Sequence, residues 1–456
     1  MFKNIIVLLF VVYSMGIISS NAQSPENNTP ERIILTWNDN PATTQAVTWR
    51  CRLPKAGVGE ICIATPSPDM VKDTYRVPAS TASYKENGKE FFYHTVKFED
   101  LKANTIYAYR VGDGEFFSEW FQFKTAGTSD DETRFLYFGD SQIAVKSLWS
   151  RCVRQAFMTD PQIDFTLHVG DMVNWNTDDE WGEWYYAAGW INGMKPCIAT
   201  PGNHEYGTRD RNVKRLTPMW QKMFAFPENG PEGMEESAYY IDYQGIRFIS
   251  VNTSEFRYYP ETADAQLKWL EAVLSDNPNR WTIVTQHHPI YVARKGPQND
   301  DMRKPLQALY EKYHVDMVLQ GHDHTYGRGQ NMMSGMNVKK DNGPMYVVSV
   351  SGPKMYDLSF ADWVDRCASN TQLFQVISVT VEKLSFKAYT TLGDLYDHFE
   401  LLKNRDGRNK LVDLQPREVK EIIDIPSKRV IKEGWTKADT VDYFQRYEKY
   451  LERKEE

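Results

Sequence analysis

Five short apolar runs in the middle of this chain each end on a cluster of aspartate, asparagine, glutamine or histidine. The clusters are Gly139-Asp140-Ser141-Gln142, Gly170-Asp171-Met172-Val173-Asn174, Gly202-Asn203-His204-Glu205, Val284-Thr285-Gln286-His287-His288 and Gly321-His322-Asp323-His324. In open α/β sheets, ligands gather at the carboxyl ends of strands, so clusters far apart in sequence can converge. Aspartate, asparagine and imidazole are the donors that borderline divalent metals take, and the glycines allow the sharp turns such a site needs. A lone strand-end Asp more often caps a helix, and a lone His-x-His arises by chance. Together, in this order and always at strand ends, the clusters constrain the fold to α/β layers around a metal centre.

The runs that carry them alternate with helical patterns. Strands are expected at Phe135–Phe138, Phe165–Val169, Cys197–Thr200, Phe248–Val251, Thr282–Thr285 and Met317–Leu319, with helices over Ala144–Met158 and Ala263–Leu274. Antiparallel strands follow at Met345–Val350, Phe374–Val381, Leu384–Thr390 and Tyr396–Leu402. Residues 30–126 read differently. Seven short strands, Arg32–Trp37, Ala46–Cys51, Glu60–Thr65, Tyr75–Thr81, Phe91–Phe98, Ile106–Val111 and Trp120–Thr125, predict a β-sandwich. The stretch Leu101 to Tyr107 resembles the approach to the sixth strand of fibronectin type III domains, where a tyrosine packs at the corner.

These patterns divide the 456 residues into a signal peptide (1–22), a fibronectin III-like sandwich (30–126), an α/β domain (132–402) and a charged C-terminal extension (403–456). Lys3, the apolar run Ile5 to Val12 and the small residues Ser20-Asn21-Ala22 carry the signal-peptide reading. Export to a periplasmic or extracellular location follows from it, as does a mature protein with no membrane span. In the extension, Val441, Phe444, Tyr447 and Leu451 outline one amphipathic helix, read as docked onto a domain. The five cysteines form no CxxC pair, and Cys51 and Cys62, on consecutive strands, are left open as a disulfide. A net charge of -8 argues against a nucleic-acid scaffold as partner, while a metal pair could still draw in a small phosphorylated substrate.

The five clusters behind a sandwich resemble the purple acid phosphatases, within the calcineurin-like metallophosphoesterases. The resemblance implies an N-terminal fibronectin type III-like β-sandwich followed by a metallophosphoesterase domain of two packed sheets flanked by helices. It implies that Asp171 bridges two metals, that Asp140 and His324 serve the first, and that Asn203, His287 and His322 serve the second. It makes the chain a phosphomonoesterase that works by attack of a metal-activated hydroxide, with His204 protonating the leaving group. Asn203, His204, His288 and Arg294 are the expected substrate contacts. Two departures bear on the metal. The purple enzymes place Tyr three residues after the bridging Asp and usually Gly two residues after the first; here these are Asn174 and Gln142. Gln142 is accordingly expected as a ligand, and two divalent ions (zinc, manganese or iron) rather than ferric iron. A phosphodiesterase acting on nucleotides or lipid head groups uses the same ions, and a non-catalytic adhesion or glycan-binding protein is the reading outside enzymes.

Overall fold

The computed structural model describes residues 28–207, 214–330 and 343–455. The proposed signal peptide lies outside these residues. Among them no helix is long and apolar enough to cross a membrane.

Three sheets build the molecule. A four-stranded antiparallel sheet runs in the order Tyr75–Pro78, Val58–Ile63, Ile106–Gly112, Phe121–Lys124. It faces the strands Glu31–Thr36, Gln45–Cys51, Lys89–Phe98 and Ser80–Glu86 across a core of Leu35, Val47, Trp49, Ile61, Val96, Phe98, Tyr107 and Tyr109. Tyr107 sits at the expected corner, its hydroxyl accepting the Lys102 N–H at 2.9 Å. The sandwich has eight strands rather than seven. The run expected as Tyr75–Thr81 breaks at Ala79, and Ser80–Glu86 pairs as a separate, mostly exposed strand. Its polar composition hides it from a hydrophobic pattern. Cys51 and Cys62 lie on opposite sheets, and all five thiols are buried and unpaired.

The sandwich does not end where its sheet ends. Thr36 pairs in parallel with Cys197, so the four sandwich strands continue one eleven-stranded sheet. Cys197–Ala199, Phe165–His168, Thr133–Phe138, Leu373–Val379, Lys383–Thr390, Leu395–Lys403 and Asn409–Asp413 follow in order. This pairing removes what would otherwise be an open strand edge at Cys197–Ala199. Trp37, one residue beyond the first strand, packs on Phe165 and Tyr243, at ring distances of 5.4 and 5.0 Å, and ties the two regions into one core.

A seven-stranded sheet lies against this one, in the order Tyr239–Tyr243, Ile246–Val251, Trp281–Gln286, Met317–Gln320, Met345–Val348, Tyr326–Gln330, Arg366–Ala368. Phe135 stacks on Phe165 at 5.0 Å and meets Phe248 edge-on at 5.4 Å, an interdigitated aromatic layer between the sheets. Thr133–Phe138, Phe165–His168 and Cys197–Ala199 run parallel in one sheet. Trp281–Gln286, Met317–Gln320 and Met345–Val348 run parallel in the other, and the Asp140–Val350 bridge joins the two sets where they end.

The chain stays in the sheet past Lys403, through Asn409–Asp413, where a charged extension was expected to begin. Lys403 is buried against Asp316, so a residue that reads as surface charge is an internal ion pair. The C-terminal helix, Lys437–Glu455, docks as expected, with Phe444 and Tyr447 of the expected face in the contact and its centre shifted toward Tyr443 and Tyr450. Tyr443, Tyr447 and Tyr450 pack on Phe360 and Phe444 packs on Tyr443, whereas Val441 and Leu451 are 50 % and 41 % exposed. Three aromatic rings cover more apolar surface than the two aliphatic side chains, and they set the rotation of the helix.

Candidate metal centre

Each predicted ligand follows a strand of one sheet or the other. Asp140, Asp171 and Asn203 come from the eleven-stranded sheet, and His287, His322 and His324 from the seven-stranded one. The turns that bring them together are tight. Asp171, His322 and His324 adopt φ of 48°, 69° and 49°, a left-handed backbone that costs energy for residues with a Cβ. A Cβ on Gly202 would stand 2.3 Å from Asp171 Oδ1, and one on Gly321 2.3 Å from Asp140 Oδ1. Only glycine fits at these two contacts.

The side chains then converge in two groups that share one carboxylate. In the first, His324 Nε2 lies 3.2 Å from Asp140 Oδ2, and Gln142 Nε2 lies 3.1 Å from Asp171 Oδ2 and 3.0 Å from His324 Nε2. In the second, Asn203 Oδ1 lies 3.0 Å from His287 Nε2 and 2.9 Å from His322 Nδ1, and His287 Nε2 lies 3.2 Å from Asp171 Oδ2. Donors bonded at about 2.1 Å to one octahedral ion stand about 3.0 Å apart, the spacing seen here. Asp140 Oδ2 and Gln142 Oε1 are buried without a hydrogen-bond partner, which leaves acceptor capacity for a cation. The two ends of the Gln142 amide are interchangeable in position, so its oxygen can face the same point.

The outward nitrogens are anchored. His287 Nδ1 donates to the Val169 carbonyl at 2.9 Å and His324 Nδ1 to the Lys354 carbonyl at 2.9 Å, which fixes Nε2 as the inward donor on both rings. Burial, reinforced by neighbouring positive charge, keeps His322, His288 and His324 neutral, the last pushed down to about 3. Burial also pushes the Asp140 carboxyl up, to about 8, with the Asp171 charge adding to it. For His287 burial acts the other way, yet the Asp171 carboxylate outweighs it and lifts the ring to about 9. The metal-free centre thus holds protons where a cation would sit.

His204 Nδ1 donates to the Asn174 carbonyl at 2.7 Å, and its Nε2 faces Asp171 Oδ2 at 3.9 Å, with the side chain 22 % exposed. Asn174 therefore contributes through its backbone. His288 is 1 % exposed; its Nδ1 meets the Thr253 hydroxyl at 3.0 Å and its Nε2 has no partner. It belongs with His287 and His322 as a third imidazole of the second group. Arg294 is turned onto Asp323, with Nε 3.1 Å from Oδ1, rather than left open to the cleft. Neither Tyr185 nor Tyr206 offers a phenolate: the first hydroxyl points at the Met223 carbonyl and the second accepts from Asn252.

Two supporting residues escaped the sequence reading. Glu205 is wholly buried and accepts from the backbone N–H groups of Asp171, Met172 and Gly202 at 2.7–2.8 Å. Asp323 accepts from the backbone of Ala293 and Arg294 and holds the Arg294 side chain. Glu205 follows the predicted catalytic His204 and Asp323 lies between two predicted ligands, which is the signal that could have marked them.

Residues 133–326 match the calcineurin-like phosphoesterase family model, and residues 30–125 match the purple acid phosphatase N-terminal domain. Purple acid phosphatase 21 of Arabidopsis thaliana is 29 % identical over 289 residues, 60 % of this chain and 62 % of that protein. Probable inactive purple acid phosphatase 27 of the same plant is 27 % identical, over 55 % of this chain and 46 % of its own length. The matched segment therefore spans less than two thirds of these two relatives. Acid phosphatase type 7 of Homo sapiens is 24 % identical over 70 % of this chain and 75 % of that one. Among solved structures, a purple acid phosphatase from yellow lupin (Lupinus luteus) seeds shares the fold with a TM-score of 0.70 at 20 % identity, over 83 % of this chain and 75 % of that one. The structure of PhoD shares it with a TM-score of 0.65 at 12 % identity, over 94 % and 99 %. With a purple acid phosphatase N-terminal domain, a calcineurin-like phosphoesterase domain and this architecture, the chain is a purple acid phosphatase-like protein of the calcineurin-like metallophosphoesterase superfamily.

Proposed function

We propose that this chain is an exported phosphomonoesterase that holds two divalent ions and hydrolyses small phosphate esters. The observation that carries the reading is the Asp171 carboxylate, placed between a buried and a largely buried donor group whose atoms stand 2.9–3.2 Å apart. Asp140, Gln142, His324 and Asp171 would hold one ion; Asp171, Asn203, His287 and His322 the other. His288, buried against the second group, is a reserve donor there. Such ions, when bound, neutralise phosphate charge and lower the pKa of bound water.

The chain's own side chains do the rest. The Asn203 amide and the His204 ring line the opening beside Asp171, where a phosphate ester would bind. His204, held by the Asn174 carbonyl, turns Nε2 toward the reacting group and supplies a proton to the leaving oxygen. Arg294 would meet the substrate only by exchanging its bond to Asp323. Export rests on the N-terminal apolar run and its small-residue end.

Two measurements test this. Metal analysis of the purified protein should give two ions per chain, and p-nitrophenyl phosphate should be turned over faster than its bis ester. Asp171→Asn should lose both ions and turnover, because one carboxylate serves both groups. Full activity in that variant would sink the reading, and faster turnover of the bis ester would make the protein a phosphodiesterase.

A further inference from the structure

Charge at the mouth of the centre is distributed unevenly. In the segments that flank its ligands, Arg294 is paired with Asp323, Lys295 with Asp439 and Lys432 with Asp357. Lys354 is different. Its backbone carbonyl holds His324, and its side chain is half-buried at the edge of the first donor group. Its ammonium has no carboxylate partner among the described residues. Asp357, the acid nearest in sequence, is already engaged by Lys432 at 2.6 and 2.7 Å.

What Lys354 does meet is a ring. Its Nζ stands 5.5 Å from the centre of Tyr356, which is 41 % exposed and packs 4.7 Å from the His324 ring. The Tyr356 N–H also donates to the His324 carbonyl at 3.1 Å, so the whole turn is pinned to this ligand. A cation held over an exposed ring costs little to reorient, and it lies next to the centre rather than in it.

Resting on the phosphatase reading above, we propose that Lys354 determines specificity by binding a second phosphate of the substrate, outside the dinuclear centre. The substrate class is then a small bisphosphate, one phosphate at the metals and the other on Lys354 with the Tyr356 ring beneath it. A lysine ammonium suits this role because it binds phosphate as a point charge and imposes no fixed geometry. On the opposite flank Arg257, one helical turn along from the Thr253 that bonds His288, likewise has no carboxylate partner among the described residues. It serves as the control.

The test compares the initial rates of propane-1,3-diyl bisphosphate and 3-hydroxypropyl phosphate, two esters that both release a primary propyl alkoxide oxygen, on metal-loaded protein. Wild type should prefer the bisphosphate in kcat/KM. Lys354→Gln should lower the ratio of the two kcat/KM values at least tenfold, through KM, and added salt should shrink the wild-type preference. Arg257→Gln should leave the ratio within twofold. An unchanged ratio in Lys354→Gln overturns the proposal, as does a loss found in Arg257→Gln instead. Equal losses on both esters would also overturn it, because Lys354 would then serve the centre itself. If neither ester nor p-nitrophenyl phosphate is hydrolysed by wild type with any divalent metal, the phosphatase reading itself has failed, a distinguishable result.

Discussion

Glu205 offers the sharpest perturbation, because it supports the centre without touching it. One of its oxygens accepts from Asp171 and Gly202, the other from Met172, all within a buried pocket. Glu205→Gln keeps one oxygen for the first two donors but turns an NH2 toward the Met172 N–H. One orphaned buried donor costs ~1–3 kcal/mol, and reducing two charge-assisted bonds to neutral ones costs about 1 kcal/mol each. Removing the charge next to Asp171 offsets part of this, since burial and that neighbour already raise the Glu205 pKa. The net expectation is a local loss of about 3 kcal/mol, equivalent to roughly 10²-fold in an opening equilibrium. Hydrogen exchange on metal-free protein reads it directly. Protection should fall about 10²-fold in peptides covering residues 169–173 and 201–203 and stay unchanged in the sandwich strands. Zinc affinity, measured by competition with a chelator, should fall ~10–100-fold, as for other groups that orient ligands. Protection and affinity both within twofold of wild type would refute the reasoning.

Three further outcomes are expected. His204→Ala should retain both ions yet lose roughly 10²-fold in turnover of an ester with a poor leaving group; equal activity would make the ring structural. Gln142→Ala should weaken one of the two metal-binding events more than the other, and iron-loaded wild type should lack a strong tyrosinate band, because Asn174 replaces the tyrosine and Tyr185 and Tyr206 face elsewhere. The third concerns pH. Above pH 7, where an unfolded histidine is largely neutral, folded values raised to about 9 for His287 and about 8 for Asp140 leave the metal-free fold with more bound protons than the unfolded chain. The His287 contribution is complete below the unfolded value near 6.5 and is lost as pH rises through 9, and the Asp140 shift has the same sign from about 4 to 8. Metal binding displaces both protons, so its dependence is opposite. The Tm of chelator-treated protein should fall between pH 7 and pH 9, while the increase in Tm on adding zinc grows; an increase that shrinks over that range would contradict the assignment.

Much of this protein can be read from its sequence. The donor residues were legible because each cluster follows an apolar run, and strand ends are where a layered sheet presents groups to solvent. The sandwich was legible through residue alternation, and the Tyr107 corner through the stretch that precedes it. The positions that were not legible are those where local composition and final environment disagree. Ser80–Glu86 is polar and pairs at an edge; Lys403 is charged and buried. The C-terminal helix was visible as a helix, but its contact face was decided by Tyr443 and Tyr450 meeting Phe360.

The sequence by itself marked which atoms are candidates to bind metal and in what order the chain delivers them. Tertiary structure decided how they share space. Only the folded chain joins the sandwich to the second domain through the Thr36–Cys197 pairing, seats His288 among the candidate ligands, and turns Arg294 onto Asp323. Those outcomes depend on contacts between residues far apart in sequence, where a buried carboxylate or an open strand edge takes whichever partner the packing brings within reach.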